Sequence, residues 1–194
     1  MLYNVPNLLT FLRILASPLF VGIFYFPHSW LLPQNQNLVA TLIFASAAIT
    51  DWLDGYLARV MNQTSAFGAF LDPVADKLMV SAALIVLVYL GRLDAPIALI
   101  IIGREIAISA LREWMAQIGK SKSVAVSFLG KIKTTSQMIA IPLLLYHDAI
   151  GEHFDPQLIG TWLIYIAAFL TLLSMFYYLK VALPLALKEE KKNF

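Results

Sequence analysis

Cysteine is missing from this chain of 194 residues, which excludes disulfide bridges, cysteine-ligated zinc and thiol catalysis. Charge is scarce, because only 13% of the residues are charged, against about 25% in an average soluble domain. The net charge of +2 gives no reason to expect a nucleic-acid partner. The first thirty residues also lack the basic start and the small-residue cleavage site of a signal peptide, so we expect the first apolar stretch to remain as a helix.

Apolar residues make up most of what is present. They account for 60% of the chain, and the mean hydropathy is +0.75, which indicates a protein of the lipid bilayer. A membrane-spanning helix needs about 20 apolar residues. The sequence therefore predicts an all-α integral membrane protein with six transmembrane helices, at residues 8–26, 38–60, 68–90, 95–115, 132–146 and 158–187. We find no internal repeat and no long linker, so residues 1–194 are expected to form a single membrane domain.

The positions of lysine and arginine predict the orientation in the membrane. These residues concentrate in three places: after the second segment, between the fourth and fifth, and in the tail. They are Arg59, Lys120, Lys122, Lys131, Lys133, Lys188, Lys191 and Lys192. The loops expected on the opposite side contain only Arg92. Both termini are therefore expected to face the cytoplasm, together with the junction of the second and third segments.

Four aspartates lie at that junction, in the stretch "TDWLDGYLARVMNQTSAFGAFLDPVADKL". In a helix, Asp51 and Asp54 share one face with the small residues Gly55 and Ala58 and with Arg59. In the next segment Gly68, Asp72 and Asp76 recur every fourth residue, again on one face. A short connection between the two helices would bring these two faces together.

Adjacent carboxylates in a medium of low dielectric constant repel one another unless they protonate or bind a cation. Ligation by oxygen alone favours Mg²⁺, Mn²⁺ or Ca²⁺ over zinc, and four aspartates are enough to bridge two ions that act on a phosphorus centre. Proton relay and structural ion pairing are the alternatives. Pro73 leaves one local question open, because it either begins its helix or interrupts a helix that began near residue 65.

The spacing D-x2-D-G-x2-A-R-x8-G-x3-D-x3-D, with eight fixed residues over 26 positions, resembles the signature of the CDP-alcohol phosphotransferase family. The resemblance implies a six-helix enzyme, commonly a homodimer, in which an alcohol displaces CMP from a CDP-linked lipid. It assigns two divalent cations, Mg²⁺ or Mn²⁺, to Asp51, Asp54, Asp72 and Asp76, and makes Asp76 the general base. It also implies that Gly55, Ala58 and Gly68 line the CDP site. Arg59 either reaches the diphosphate or is an ion-pairing residue at the membrane edge.

A second group of charges predicts the acceptor site. The stretch "GREIAISALREW" places Arg104 and Arg112 on one face of the fourth segment, and "LGKIKTT" adds Lys131 and Lys133. Cations within apolar helices are costly without an anionic partner. We expect a pocket for a phosphorylated acceptor, in which one of the two lysines takes part. The alternative is that Glu105 and Glu113 offset the arginines and the lysines anchor the membrane edge.

The stretches "NVPNLLTFLRI", "FGAFLDPVADKLMV", "REIAISALREW" and "SVAVSFLGKIKTTSQM" are similar to bacterial family members that use glycerol 3-phosphate as acceptor and CDP-diacylglycerol as donor. This resemblance implies a bacterial inner-membrane enzyme with its active site toward the cytoplasm. It also implies that Asn7, Thr10 and Arg13 approach the cytidine or the diphosphate, although Arg13 is equally suited to be a counter-ion of the aspartates. Inositol phosphate, serine and phosphatidylglycerol remain alternative acceptors.

Two other classes use acidic residues within membrane helices. Membrane prenyl-chain transferases also bind a diphosphate through Mg²⁺, but their two aspartate-rich motifs lie far apart in sequence, whereas here they are adjacent. A transporter coupled to protons or cations would need carboxylates at the bilayer midplane and commonly shows repeated halves. This sequence shows no such halves, so the sequence favours the phosphotransferase.

Overall fold

Six α-helices account for most of the structure, a computed structural model that describes residues 5–60, 66–117, 128–151 and 154–190. Apart from a 3₁₀ turn at Ile23–Tyr25 and an isolated β-bridge between Ile150 and Phe154, the regular elements within these ranges are all α-helical. The helices are α1 (Val5–Gly22), α2 (Pro33–Val60), α3 (Ala66–Tyr89), α4 (Ala95–Gln117), α5 (Phe128–Tyr146) and α6 (Pro156–Glu190).

Each predicted segment overlaps one of these helices, so the six predicted helices are present in the described residues. That all six cross the membrane stays a prediction. The largest difference at a helix start is in α2, which begins at Pro33 although its apolar run begins only at residue 38. Proline suits the first turn of a helix, where an N–H group would have no intrahelical partner. Gln36, in the polar first turn, donates a hydrogen bond to the Phe26 carbonyl over 3.1 Å. In α3 the helix begins at Ala66 and continues through Pro73, so Pro73 does not mark its start.

Two stretches of the described residues are long and apolar enough to cross a membrane, Leu8–Tyr25 and Pro156–Lys180. Many of their large apolar side chains are exposed, as in Leu15 and Leu19 of α1 and Phe169 and Phe176 of α6. Exposed apolar area on this scale is typical of a surface that contacts lipid. The described residues are therefore helical and include two candidate membrane spans. The arrangement of six spans with both termini in the cytoplasm stays a prediction.

Contacts divide the chain into two compact units. The first unit comprises Met1–Leu93 and Ala140–Thr161. Within it α1 packs against both α2 and α3, and the large buried side chains include Phe20, Phe44 and Leu84. Small residues such as Ala40, Ala75 and Ala83 are also buried, which allows close approach of helices. Helix α1 therefore lies against both helices that carry the predicted aspartates.

The end of α5 lies in the first unit and is held by Arg92. Its guanidinium donates to the carbonyls of Leu144 and Leu145 over 3.3 and 2.7 Å, and to Asn37 Oδ1 over 2.8 Å. The last carbonyls of a helix have no intrahelical donors, and a cation there is favoured by the helix dipole. His147 ends the helix with φ 63°. Arg92 is therefore explained as a helix cap.

The second unit comprises Asp94–Ile139 and Trp162–Phe194. Ile108 and Met115 of α4 and Tyr178 of α6 form a buried cluster, against which Leu111 and Met175 pack. At the start of α4, Tyr165 donates its hydroxyl hydrogen to Asp94. The cluster brings α4 and α6 together along the face that carries Arg104 and Arg112. The formation of a single domain by residues 1–194 stays a prediction from the sequence.

Candidate active site

Helix α1 contacts two of the four predicted aspartates. Thr10 Oγ1 donates to Asp72 Oδ1 of α3 over 2.6 Å, and Arg13 forms an ion pair with Asp51 of α2. Thr10 is fully buried and Arg13 is 4% exposed. Since residues three apart share a helix face, one face of α1 receives both carboxylates. The structure thus brings Asp51 and Asp72 to the same helix although they are 21 positions apart in the sequence.

These contacts bear on the roles predicted for α1. The buried hydroxyl of Thr10 and the guanidinium of Arg13 contact carboxylates, as expected of the alternative in which Arg13 is a counter-ion. A buried cation needs a partner, and Asp51 provides one. The approach of Thr10 and Arg13 to the cytidine or diphosphate stays a prediction. In α3, Gly68 is buried, whereas Asp72 and Asp76 are exposed and can therefore accept ligands.

Six of the predicted site residues lie outside the part of the chain whose side chains the structure describes: Asn7, Asp54, Gly55, Ala58, Arg59 and Lys131. Among the described side chains, no group of three or more His, Asp or Glu residues is placed to hold a metal ion. Asp54 is not part of that comparison, so the site of four aspartates stays a prediction. The predicted ligands of this site are all carboxylate oxygens, which suit a hard divalent cation such as Mg²⁺ or Mn²⁺. Two of the four carboxylates, those of Asp51 and Asp72, contact α1.

An apolar cavity of about 280 Å³ lies beside Arg13, between α1 and α2. Leu12, Ala16, Leu19 and Ile43 are among its lining residues. Thr50, directly before Asp51, lines the same cavity. Apolar space therefore adjoins the polar contacts of α1.

Basic residues of the second unit surround a smaller cavity of about 180 Å³. Its lining residues are Arg104, Glu105, Arg112, Gly130, Lys133, Thr134 and Tyr178. Drug-sized ligands occupy pockets of about 300–1,000 Å³, so this cavity suits a smaller molecule. Three cationic side chains face one carboxylate, which favours an anion. The structure thus brings together Arg104, Arg112 and Lys133, which the sequence predicted to share a site.

Glu105 is the centre of the charge network in this cavity. Its Oε1 accepts a hydrogen bond from Arg104 Nη1 over 3.0 Å and forms an ion pair with Lys133. Arg104 is 7% exposed and Lys133 is 2% exposed, so both cations need such a partner. Arg104 Nε is buried and has no hydrogen-bond partner among the described residues. The site therefore retains unused capacity to bind an anion.

Two residues of α6 complete the site, and neither was predicted from the sequence. Ser174 Oγ accepts a hydrogen bond from Arg104 Nη2 over 3.0 Å. Tyr178 is 1% exposed, and the guanidinium carbons of Arg104 and Arg112 each lie 5.7 Å from the centre of its ring. The only sequence signal was that Ser174 and Tyr178 lie four residues apart, on one face of a helix.

Neither of the two described histidines contributes to either cluster. His28 and His147 lie in the connections after α1 and after α5, respectively. Burial and, secondarily, the positive charge of Arg92 lower the pKa of His147, while Asp148 and Asp155 oppose that shift. His147 therefore resists protonation in the folded protein.

Comparison with known proteins decides the family. A model of the CDP-alcohol phosphatidyltransferase family matches residues 3–173. The chain belongs to this family. The match covers the aspartate stretch and every lining residue of the basic cavity except Tyr178. Membership in the CDP-alcohol phosphatidyltransferases decides against the prenyl-chain transferase and the coupled transporter.

Curated relatives show which group within the CDP-alcohol phosphatidyltransferases this chain is similar to. Proteins from Salmonella typhimurium, Shigella flexneri and Escherichia coli strain K12 are each 48% identical to this chain over 184 residues. The aligned region covers 94% of this chain and 96% of each relative. All three are named CDP-diacylglycerol–glycerol-3-phosphate 3-phosphatidyltransferase. The similarity therefore extends over nearly the whole length of the chain.

Proposed function

We propose that this protein transfers a phosphatidyl group from CDP-diacylglycerol to glycerol 3-phosphate and releases CMP and phosphatidylglycerophosphate. The observation that carries the proposal is the 48% identity, over 94% of the chain, to transferases named for this reaction. The basic cavity supports it independently, because a phosphorylated acceptor requires cationic side chains in a small space. The enzyme is thus a transferase of phospholipid biosynthesis.

The reaction is a displacement at phosphorus. A primary hydroxyl of glycerol 3-phosphate attacks the phosphorus that bears the diacylglycerol group, and a new P–O bond forms. The bond from that phosphorus to the bridging oxygen of the diphosphate breaks, and CMP leaves with the electron pair. The hydroxyl proton passes to a carboxylate, for which we propose Asp76. No oxidant or reductant takes part, so charge and atoms balance within the two substrates and the enzyme.

Divalent-cation dependence is general in the family. We propose that Asp51, Asp54, Asp72 and Asp76 hold two ions, Mg²⁺ or Mn²⁺. Bound there, the ions would withdraw charge from the phosphate oxygens and from departing CMP. Support comes from the all-oxygen donor set and from α1, where Thr10 and Arg13 fix the positions of two carboxylates. Thr10 then acts as an orienting partner of a metal ligand.

The CDP-lipid is proposed to bind along the aspartate segment. Gly55, Ala58 and Gly68 would allow the nucleotide close to the backbone, because they carry little or no side chain. Arg59, Asn7 and Arg13 are the proposed polar partners. Support for the lipid part comes from the apolar cavity beside Arg13, whose lining suits hydrocarbon.

Glycerol 3-phosphate is proposed to bind with its phosphate at Arg104, Arg112 and Lys133. Arg104 and Lys133 are buried, and both are oriented by Glu105. An arginine guanidinium presents donors in a planar fork that matches phosphate oxygens. Of the two lysines that the sequence left open, Lys133 lines the described cavity.

Release of CMP tests the proposal. The purified protein is mixed with CDP-diacylglycerol and Mg²⁺, and glycerol 3-phosphate, inositol 1-phosphate, serine or phosphatidylglycerol is added in separate reactions. We expect release with glycerol 3-phosphate alone. EDTA and Asp76→Asn should each abolish it, whereas the control Asp94→Asn, which changes a carboxylate outside the proposed sites, should leave it unchanged.

The outcomes separate the parts of the proposal. Release with a different acceptor would keep the reaction and contradict the acceptor assignment. Full turnover by Asp76→Asn would contradict the choice of base. Release that persists in EDTA would contradict the metal site.

We further propose that the enzyme lies in the bacterial inner membrane with its active site toward the cytoplasm, and that it forms a homodimer. The location is supported by the clustering of lysine and arginine at the ends of segments near the aspartates. The homodimer rests on the resemblance to the family alone. Cross-linking in intact membranes, followed by gel separation, would show a species of twice the monomer mass if the homodimer forms.

A further inference from the structure

Tyr178 is the largest fully buried side chain of the structure, and it lies in the wall of the basic cavity. Its ring is contacted by two guanidinium groups, those of Arg104 and Arg112, each with its central carbon 5.7 Å from the ring centre. Its hydroxyl oxygen also accepts a hydrogen bond from Arg112 Nη2 over 3.5 Å. One aromatic residue therefore connects both arginines of the proposed acceptor site.

The two arginines differ in what else holds them. Arg104 is buried and is bonded to Glu105 and Ser174. Arg112 is exposed, and Tyr178 is the only hydrogen-bond partner recorded for it among the described residues. A long exposed side chain loses conformational entropy when it is fixed in one rotamer. If the side chain becomes ordered only when the ligand binds, this entropy loss lowers the binding affinity.

The tyrosine ring itself is well fixed. Ile108 and Met115 form a buried cluster with it, and Leu111 and Met175 pack against that cluster. A cation over an aromatic face is stabilised by the ring's negative face, more strongly where water is excluded. The ring is therefore a rigid surface that holds Arg112 near Arg104 before any anion arrives.

We propose that Tyr178 is a positioning residue for the acceptor phosphate, which it prepares by fixing the guanidinium of Arg112 relative to that of Arg104. The inference rests on the proposed function, since it concerns the same cavity. Tyr178 would act on acceptor affinity and leave the chemical step alone, because it contacts both arginines that would bind the phosphate.

Steady-state kinetics of Tyr178→Leu test this inference. We expect the KM for glycerol 3-phosphate to rise about ten-fold, from the loss of the ring–cation contacts and the hydroxyl acceptor. The KM for CDP-diacylglycerol and the kcat at saturating acceptor should change by less than about two-fold. The matched control is Phe176→Leu, because Phe176 is an aromatic residue of the same helix, is 72% exposed and does not line the cavity. The control should keep the wild-type KM for both substrates.

A double-mutant cycle with Tyr178→Phe and Arg112→Lys provides a second measurement that does not depend on Tyr178→Leu folding. Tyr178→Phe keeps the ring and removes only the hydroxyl group. If the tyrosine acts through Arg112, the effects of the two changes on the acceptor KM should not be additive. Additive effects would exclude the hydroxyl group from the positioning of Arg112 and leave that role to the ring, which Tyr178→Leu tests.

Other outcomes are equally decisive. An unchanged acceptor KM in a folded Tyr178→Leu variant, or an equal rise in the KM for both substrates, would overturn the positioning role. That result differs from a failure of the proposed function. If the proposed function is wrong, the wild-type protein itself will not release CMP when glycerol 3-phosphate is added, and the inference will be wrong as well.

Discussion

At the scale of single residues, the described contacts separate the groups that would touch substrate from the groups that orient them. Thr10 belongs to the groups that orient other side chains. It is fully buried, and its hydroxyl donates to Asp72 Oδ1 over 2.6 Å. Partners that orient a metal-binding carboxylate typically contribute about 10–100-fold in metal affinity or activity.

Thr10→Val keeps the shape of the side chain and removes the donor. We expect the Mg²⁺ concentration that gives half-maximal CMP release to rise about ten-fold, because Asp72 would no longer be held in one orientation. Thr10→Ser restores the hydroxyl and should restore the wild-type requirement. A Thr10→Val enzyme with an unchanged magnesium requirement would show that this hydrogen bond only supports the fold.

Arg112 belongs to the groups that would touch substrate, since it is exposed at the basic cavity. Arg112→Ala should raise the KM for glycerol 3-phosphate by about 10–100-fold, the effect of losing one charge-assisted hydrogen bond to phosphate. The KM for CDP-diacylglycerol serves as the internal control and should stay constant. Unchanged acceptor kinetics would remove Arg112 from the site.

Sequence reasoning succeeds for some residues of the sites and fails for others, for a physical reason. Arginine and lysine within apolar helices are noticeable because they are costly there, and so Arg104, Arg112 and Lys133 were predicted together. Tyr178 was missed because tyrosine is common in membrane helices, at interfaces and in packing. Thr10 and Asp72 are 62 positions apart, and no spacing rule within one helix relates them.

At the scale of helices, Gly160 marks a close contact between α6 and α5. A Cβ atom added there would lie 2.9 Å from Leu144 Cγ and 3.2 Å from the carbonyl oxygen of Ala140. Gly160→Ala should therefore destabilise the packing of α6 against α5 by about 1–3 kcal/mol, the usual cost of overpacking. We expect a lower temperature of thermal unfolding in detergent.

Gly103 provides the matched control for this prediction. It lies within α4, and apart from its chain neighbours and the adjacent backbone of its own helix, no described atom lies within 4 Å of the position of an added Cβ. Gly103→Ala should leave the unfolding temperature unchanged or raise it slightly, since alanine favours a helix over glycine by about 0.5–1 kcal/mol. If both variants unfolded at the wild-type temperature, the close contact at Gly160 would have no energetic consequence.

The end of α5 should make stability depend on pH. The pKa of His147 is lowered below its ordinary value, first by burial and then by the charge of Arg92, while Asp148 and Asp155 oppose the shift. A group with a lowered pKa in the folded state binds its proton more readily when the protein is unfolded. The folded protein should therefore lose stability as the pH falls through the ordinary histidine range near 6.5.

His147→Asn tests this effect, because asparagine tolerates the left-handed backbone found at this position and does not titrate. When the pH is lowered from about 8 to about 5, the unfolding temperature of this variant should decrease less than that of the wild type. Equal losses in the two proteins would show that His147 does not contribute to the pH dependence.

Helix boundaries illustrate the limits of sequence reasoning at this scale. The end of α5 at Tyr146 coincides with the predicted end, because the apolar run stops there and "HDAIG" follows. The beginning of α5 at Phe128 precedes the predicted start at 132. Lys131 and Lys133 interrupt the apolar pattern there, although lysine is compatible with a helix. Hydropathy therefore does not mark where this helix begins.

At the scale of the whole molecule, the orientation in the membrane determines which substrates the site can use. Glycerol 3-phosphate is charged and water-soluble, so the basic cavity must open toward the compartment that holds it. Lys120, Lys122, Lys131 and Lys133 follow α4, where the positive-inside rule predicts cytoplasm. The loop at residues 27–32, which contains neither lysine nor arginine, is predicted to lie on the opposite side.

The absence of cysteine makes this orientation directly measurable, because any single introduced thiol is the only reactive one in the chain. His28 lies in the turn after α1, Gln117 is the last residue of α4, and both are exposed. In bacterial spheroplasts, a maleimide that cannot cross the membrane should label His28→Cys at once and label Gln117→Cys only after permeabilisation. Both variants should retain CMP release, which verifies the fold. The reverse labelling pattern would put the basic end of α4 outside the cell, away from any cytoplasmic acceptor. Labelling of both thiols in intact spheroplasts would mean that an odd number of spans does not separate residue 28 from residue 117, and the six-span arrangement would be wrong.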